Sequence, residues 1–212
     1  MAVSLCHDVL ACAVEVISGM RFETYMKKTL FEPLEMHSTA MHLTPALEAR
    51  LAMQYRNDGD KGITPIGAVN GYVLGPGYDS GGAGIVTCVD DYIRFADMMA
   101  MGGVAHNGER ILSKATIDLM RTNHLSEKQL ADFSWIQMSG YGYGLGVRTV
   151  IDRSKGVLSP VGEFGWGGAA GAYVIIDPER EMSVYFAEHM LNSLEPYIHP
   201  RLRNILYASL DA

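Results

Sequence analysis

Residues 162–177 decide the fold, and they read GEFGWGGAAGAYVIID, from Gly162 to Asp177. Glycine weakens a strand interior and often marks a place where a ligand or another backbone approaches closely. A turn at residues 177–180 and a second apolar run from Met182 to Ala187 follow, which predicts an antiparallel hairpin. An edge strand with few side chains can offer a backbone N–H to a bound carbonyl oxygen, as in the oxyanion hole of acyl-transfer enzymes. The stretch therefore predicts a sheet whose glycine-rich strand lines a binding site.

Composition narrows the classes of protein that need to be considered. The chain has 212 residues, enough for a single domain with a sizeable core. The formal net charge is −7 and the basic residues number 17, which argues against nucleic-acid binding. The three cysteines Cys6, Cys12 and Cys88 match neither a disulfide framework nor a zinc-ligand spacing. We expect no metal and no cofactor.

The most apolar early stretch gives no sign of a membrane segment or a signal peptide. It runs from Val9 to Ile17, contains Glu15, is far too short to span a bilayer, and follows no basic region. The chain as it stands is therefore expected to be cytoplasmic and to contact no membrane. Its compartment within a longer protein stays open.

The order of the predicted elements indicates an α+β fold. We predict a first helix from the cap Ser4 to Gly19, loop-rich chain at residues 34–78, and a later helix capped by Thr87. Residues 141–150 alternate with period two, which predicts a strand. About residues 1–135 form a mainly helical and loop lobe, and about 136–212 supply strands and a terminal helix. We expect one incomplete domain, an antiparallel sheet flanked by helices.

Three segments of the sequence together resemble a known superfamily. They are Phe31-Glu32-Pro33-Leu34-Glu35-Met36, residues 80–86 (SGGAGIV) with 90–96 (DDYIRFA), and Tyr143-Gly144-Leu145-Gly146 with Gly165-Trp166-Gly167-Gly168. In this order they resemble the serine β-lactamases, penicillin-binding proteins and related esterases, and in particular the class C-like branch. The resemblance covers the C-terminal part of that fold, without its N-terminal strands and nucleophile helix.

The resemblance implies a serine hydrolase mechanism and assigns roles to four residues. In this superfamily a Ser-x-x-Lys helix supplies the nucleophile and a sheet strand supplies a third motif, which is Lys-Thr-Gly in the lactamases. Trp166-Gly167-Gly168 looks like the Trp version of that motif, and Ala169 N–H would be one oxyanion donor. Because Trp166 stands where the lysine would be, the resemblance favours ester or amide substrates without the carboxylate of a β-lactam.

The nucleophile and the proton-transferring tyrosine of the superfamily are absent from this sequence. No serine is followed three positions later by lysine, and Val3 stands at the expected position of the tyrosine. Valine cannot transfer a proton. We therefore expect no catalytic nucleophile or base in the chain.

Three interpretations remain open at this point. The favoured one is the C-terminal portion of a serine hydrolase of the β-lactamase-related, esterase-like type, inactive alone. The second is a non-catalytic binding module, a pseudoenzyme whose cleft holds a small acyl, ester or peptide-like ligand. The third is an assembly in which a second copy or a missing N-terminal segment completes the sheet, because an unpaired edge and bare apolar surface are liabilities for a monomer.

Overall fold

The computed structural model of the protein describes residues 4–67, 77–133 and 138–210. The helices are α1 Ser4–Ser18, α2 Phe22–Met26 with a π-helical turn at Lys27–Phe31, α3 Pro45–Glu48, α4 Val89–Ala100, α5 Lys114–Met120, α6 Glu127–Asp132 and α7 Glu195–Leu210. The strands are β1 Gln54–Asn57, β2 Ile63–Gly67, β3 Tyr141–Tyr143, β4 Arg148–Val150, β5 Phe164–Gly167, β6 Gly171–Asp177 and β7 Met182–Leu191.

The described strands form one sheet in the order β2-β1-β7-β6-β5-β4-β3. Neighbouring strands are antiparallel except for β1 and β7, which run parallel through the pairs Tyr55 with Met190 and Arg56 with Leu191. The predicted α+β class, a sheet flanked by helices, is confirmed, but the parallel β1–β7 pair makes the sheet mixed and not wholly antiparallel. The predicted hairpin is also present, since β6 and β7 pair from Val174 with Tyr185 to Asp177 with Met182.

Strand β6 shows how the sheet separates two apolar layers. Its side chains alternate between the two faces, as they do in any strand. Val174 and Ile176 pack into the main core with helix α4, whereas Tyr173 and Ile175 pack with Tyr207 of α7. The run Ala172–Ile176 is apolar at nearly every position because both of its faces are covered.

Several predicted boundaries were wrong for local reasons. Residues 141–150 form two short strands, because Gly144 N–H donates to Val147 O at 2.8 Å and closes a hairpin between β3 and β4. The loop-rich stretch at 34–78 contains strands β1 and β2, joined by a turn that begins after Asn57. Helix α4 is preceded by Cys88 at the N-cap position, and the Thr87 hydroxyl lies 2.7 Å from that of Thr39 instead.

Helix α1 is the predicted first helix, and it lies at the surface of the fold. Within it Ala11 is buried, while Val16 and Ile17 are 84% and 85% exposed. Among the described residues, no helix is long and apolar enough to cross a membrane.

Candidate functional site

The glycine-rich stretch folds as two strands and a tight turn, and the prediction of a single strand was wrong. Strand β5 ends at Gly167 and β6 begins at Gly171. Gly171 N–H donates to Gly168 O at 3.0 Å, and Gly168 N–H donates to Ala172 O at 2.7 Å. These bonds place residues 168–171 at the tip of the β5–β6 hairpin; we name them the oxyanion turn after the role that the sequence predicts for Ala169.

Strand β5 lies inside the sheet, which corrects the expectation of an edge strand. It pairs with β4 through Phe164 and Gly165 and with β6 along its whole length. Within the described part of the chain, Trp166 and Gly167 have no pairing partner in β4. The second half of β5, which leads into the oxyanion turn, is therefore unpaired with β4 in the part of the chain that the structure describes.

The four predicted site residues lie together around this turn. Trp166 is half-buried, and its ring meets that of Tyr143 edge-on, with centroids 5.5 Å apart and planes at 75°. A side chain on Gly168 would meet no atom closer than 3.8 Å, so its surroundings are open. Across residues 4–67, 77–133 and 138–210, no acceptor lies in hydrogen-bond reach of Ala169 N–H.

The other glycines of the stretch have an internal explanation. A Cβ on Gly165 would lie 2.1 Å from Val174 O, and one on Gly167 would lie 3.3 Å from two atoms of the His199 ring. Gly171 has a φ of +91°, and a Cβ there would lie 2.4 Å from a carboxylate oxygen of Glu188. The close approach that the sequence indicated is thus made by the protein's own backbone and side chains.

His199 supports the oxyanion turn from below, a role that the sequence did not reveal. Its Nε2–H donates to Gly171 O at 2.9 Å, and its ring stacks on Tyr173 with centroids 4.2 Å apart. Burial lowers the pKa of His199, and the nearby Arg148 lowers it further against the opposing effect of the Gly171 carbonyl. The imidazole is therefore neutral at pH 7. It reaches Gly171 from α7 only through the tertiary fold, so no sequence spacing could indicate it.

A buried charged network supports β5 on the face of the sheet that carries Tyr173, where His199 also packs. Arg148 and Glu163 are 1% and 0% exposed, and Arg148 Nη2 donates to Glu163 Oε1 at 3.3 Å and to Val174 O at 3.1 Å. Tyr141 donates its hydroxyl hydrogen to Glu163 Oε2 at 3.0 Å, and Arg203 donates to the Tyr141 oxygen. This network fixes the strand that ends in Trp166.

The two strand tyrosines differ in their surroundings. Tyr141 is a core residue of the charged network. Tyr143 is half-buried, and the centroid of its ring lies 5.7 Å from the centroid of the Phe133 ring. Burial raises the pKa of Tyr143, and the nearby Cys6 adds to the increase. Its phenol is therefore neutral and lies beside the candidate site.

The first turns of helix α1 border the same region. A Cβ on Gly146 would lie 3.7 Å from His7 Nε2, which places α1 against the β3–β4 loop. Asp8 accepts the Ser80 hydroxyl hydrogen at 2.8 Å and the Gly82 N–H at 3.3 Å, which anchors the glycine turn of the second resemblance segment. Val3, at the expected tyrosine position, lies outside the described residues.

One group of side chains has the composition of a metal site. Potential ligand atoms of Glu23, His42 and Asp79 lie within 4.8 Å of one another. Asp79 already accepts hydrogen bonds from Arg21 at 2.7 Å, from His42 at 2.6 Å and from Glu23 N–H at 3.0 Å. Burial raises the pKa of Asp79, but these hydrogen bonds outweigh it and lower the pKa. A guanidinium supplies the positive charge here, so we interpret the group as a structural ion pair.

Comparison with known proteins agrees with the segments described above. Residues 5–207 match the Beta-lactamase family. Protein Rv1367c of Mycobacterium tuberculosis is 28% identical over an alignment of 192 positions that covers 86% of this chain and 47% of that protein. Penicillin-binding protein 4 of Amycolatopsis lactamdurans is 32% identical over 141 residues, 65% of this chain and 35% of that protein.

A solved structure shows the same fold over a similar share of its length. EstCE1, described as a hydrolase with promiscuous acyltransferase activity, superposes with a TM-score of 0.78 and 24% identity. The match covers 96% of this chain and 55% of EstCE1. The chain thus spans about half the length of the relatives that it matches. With a match that runs through nearly all of its described elements, the chain belongs to the Beta-lactamase family.

Proposed function

We propose that this chain supplies the oxyanion-binding half of a serine hydrolase of the β-lactamase-related, esterase-like type, and that it is inactive alone. One observation carries the proposal: Ala169 N–H, at the tip of the β5–β6 hairpin and directly after Trp166-Gly167-Gly168, makes no hydrogen bond to any described residue. A backbone N–H held on a rigid hairpin can stabilise the oxygen of a tetrahedral intermediate without reorganisation.

Inactivity follows from the residues that the sequence lacks. Acyl transfer needs a nucleophile activated by a neighbouring base. The 212 residues contain no Ser-x-x-Lys. His199, a base beside the turn, donates its Nε2 hydrogen to Gly171 O and packs under the sheet. It is a positioning residue for the oxyanion turn and not a base for catalysis.

The charges near the turn favour an uncharged acyl substrate. Trp166 presents an aromatic ring, packed on Tyr143, where the lactamase motif has a lysine. The cation beneath this strand, Arg148, is buried and paired with Glu163, so it is not presented to a ligand. We propose that esters, or amides without a neighbouring carboxylate, are the substrate class of the complete site.

The first experiment tests inactivity with the purified chain. We expect no saturable hydrolysis of p-nitrophenyl butyrate and no labelling by a fluorophosphonate. Hydrolysis that is abolished when the phosphonate labels one mapped residue would refute this part of the proposal.

The second experiment tests the oxyanion turn in an active framework. Residues 164–177 of this chain replace the matching hairpin of EstCE1, and p-nitrophenyl ester hydrolysis is measured. In the graft, Ala169→Pro removes the N–H and should lower kcat about 100- to 1000-fold, the usual cost of one oxyanion donor. The matched control Ala169→Gly keeps the N–H and should stay within about threefold of the graft. Equal rates for the two variants would contradict the assignment. A pseudoenzyme would be favoured if the unaltered graft bound ester without turnover.

A further inference from the structure

The buried network beneath strand β5 carries more positive than negative charge. Arg148 and Arg203 are 1% and 4% exposed, and Glu163, which interacts with both of them, is 0% exposed. Burial lowers the pKa of Arg148, but the side chains around it outweigh burial and raise the pKa, so this guanidinium stays charged. Two guanidinium groups therefore face one carboxylate, and one buried positive charge is left without a counter-charge among these side chains.

Other acidic groups do not balance this charge. Asp177 is buried on the same face of the sheet, but it pairs with Arg180 at 3.2 Å and accepts the Tyr207 hydroxyl hydrogen at 3.0 Å. Outside the described ranges the sequence has one acidic residue, Asp211, and the end of α7 before it lies roughly 10 Å along the helix axis from Arg203.

The enclosure of the network limits what else can reach it. Its charged side chains are covered by this chain itself, so neither a further segment of a longer protein nor a partner protein can contact them. A buried charge without a partner is costly. A small ion that diffuses in is the remaining source of negative charge.

The two guanidinium groups also have donor atoms without acceptors. Arg148 Nε and Nη1 and Arg203 Nε are buried and make no hydrogen bond to any described residue. The ring centroids of Tyr141 and Tyr173 lie 5.2 Å and 4.4 Å from the Arg148 guanidinium carbon. An aromatic ring covers the face of a guanidinium and leaves the N–H groups at its edge unpaired. Because buried donors are normally paired, these atoms indicate a bound acceptor.

We propose that a chloride ion binds between the sheet and α7, at Arg203 Nε and Ser159 Oγ. Ser159 is 0% exposed, and its Oγ makes no hydrogen bond of ordinary length and angle to a described residue. Asn204, next to Arg203, joins the loop that carries Ser159 to α7, because its Oδ1 accepts Leu158 N–H at 3.4 Å and its Nδ2 donates to Gly156 O at 3.2 Å. The hydroxyl and the guanidinium therefore lie on facing elements.

The surroundings of these two groups favour a small monovalent anion. Ser159 and Arg203 both lie close enough to Glu163 to lower its pKa, against the larger effect of burial, so all three groups border one small volume. A single negative charge balances the excess of the network, and a spherical ion accepts hydrogen bonds from any direction. Chloride has both properties. The inference stands independently of the proposed function.

The first test measures whether chloride stabilises the full chain. Urea unfolding is followed at constant ionic strength while chloride replaces gluconate from about 1 to 200 mM. A single site predicts that the unfolding equilibrium constant falls about tenfold for each tenfold rise in chloride above the dissociation constant. Constant ionic strength keeps screening unchanged, and gluconate is too large for an enclosed site. An equilibrium constant that does not respond to chloride overturns the inference and favours a buried water molecule at these donors.

Three variants locate the ion. Arg203→Met removes the excess charge and should abolish the chloride dependence. The matched control Arg201→Met removes an exposed guanidinium from the same helix and should retain it. Ser159→Ala keeps every charge and removes one donor, so the chloride concentration of half-maximal effect should rise about tenfold, and this variant tests the site even if Arg203→Met does not fold. A chloride dependence that Ser159→Ala leaves unchanged would overturn the assignment.

X-ray diffraction gives a direct measurement. Crystals of the full chain grown in bromide should show an anomalous-scattering peak in contact with Arg203 Nε and Ser159 Oγ. Peaks at surface positions alone would mean an adventitious ion only, and they would overturn the inference.

Discussion

Replacing Glu163 by glutamine tests whether the buried network holds strand β5. The substitution keeps the shape of the side chain and its contact with Tyr141, but it removes the negative charge beside Arg148 and Arg203. Glu163 and Arg148 are 0% and 1% exposed, so water cannot replace that charge. Removing one partner of a buried ion pair costs about 3–5 kcal/mol of folding free energy, because the other charge stays buried without a partner. Glu163→Gln should lower the free energy of unfolding by that amount, and the melting temperature by about 10 °C.

A double-mutant cycle separates the charge from the packing. Arg148→Met/Glu163→Gln removes the anion together with one of the two cations beside it and, compared with each single substitution, should recover about half of the loss, because Arg203 remains. The matched control is Asp118→Asn, because Asp118 pairs with Lys114 at 2.6 Å and Arg121 at 3.0 Å, but its side chain is 41% exposed. It should cost less than about 1 kcal/mol.

Urea unfolding followed by tryptophan fluorescence provides the measurement. Trp166 lies three residues after Glu163, so its emission reports on the strand that the network supports. If Glu163→Gln and Asp118→Asn lower the free energy of unfolding by the same amount, within about 0.5 kcal/mol, burial does not determine how much the Arg148–Glu163 pair stabilises the fold, and the reasoning is refuted.

Three further predictions concern the hairpin and its support. Gly165→Ala should cost about 3 kcal/mol in urea unfolding, because its Cβ would lie 2.1 Å from Val174 O; a loss below 1 kcal/mol would mean that the hairpin opens freely. The pKa of His199 is lowered in the folded state. Its stabilising contribution is therefore complete above the unfolded pKa of about 6.5 and is lost as pH falls towards the folded pKa. His199→Gln should flatten the resulting dependence of the free energy of unfolding on pH, whose slope is at most about 1.4 kcal/mol per pH unit. Ser113→Ala should cost about 1 kcal/mol in thermal unfolding, because its hydroxyl caps helix α5 at 3.0 Å from Thr116 N, and an unchanged melting temperature would contradict that role.

The sequence by itself determined the family, the fold class and the hairpin. These follow from local information: the order of three short segments, the period-two pattern of the apolar run, and the turn residues between two strands. The sequence also shows that the 212 residues contain no Ser-x-x-Lys motif, because this motif spans only four consecutive residues. The roles of the four residues of the third motif stay a prediction.

The tertiary structure alone decided what surrounds the glycines and which surfaces remain open. His199 lies 28 residues from Gly171 along the chain, and the Arg148 side chain crosses beneath a strand that begins 16 residues later. Such contacts depend on how strands and α7 pack, and no local pattern encodes them. The same holds for α1: its sequence predicts an amphipathic helix, but only packing decides which face is covered. Here the polar face contacts the rest of the described chain through Asp8 and Glu15, and the apolar side chains Val9, Leu10, Val16 and Ile17 are exposed.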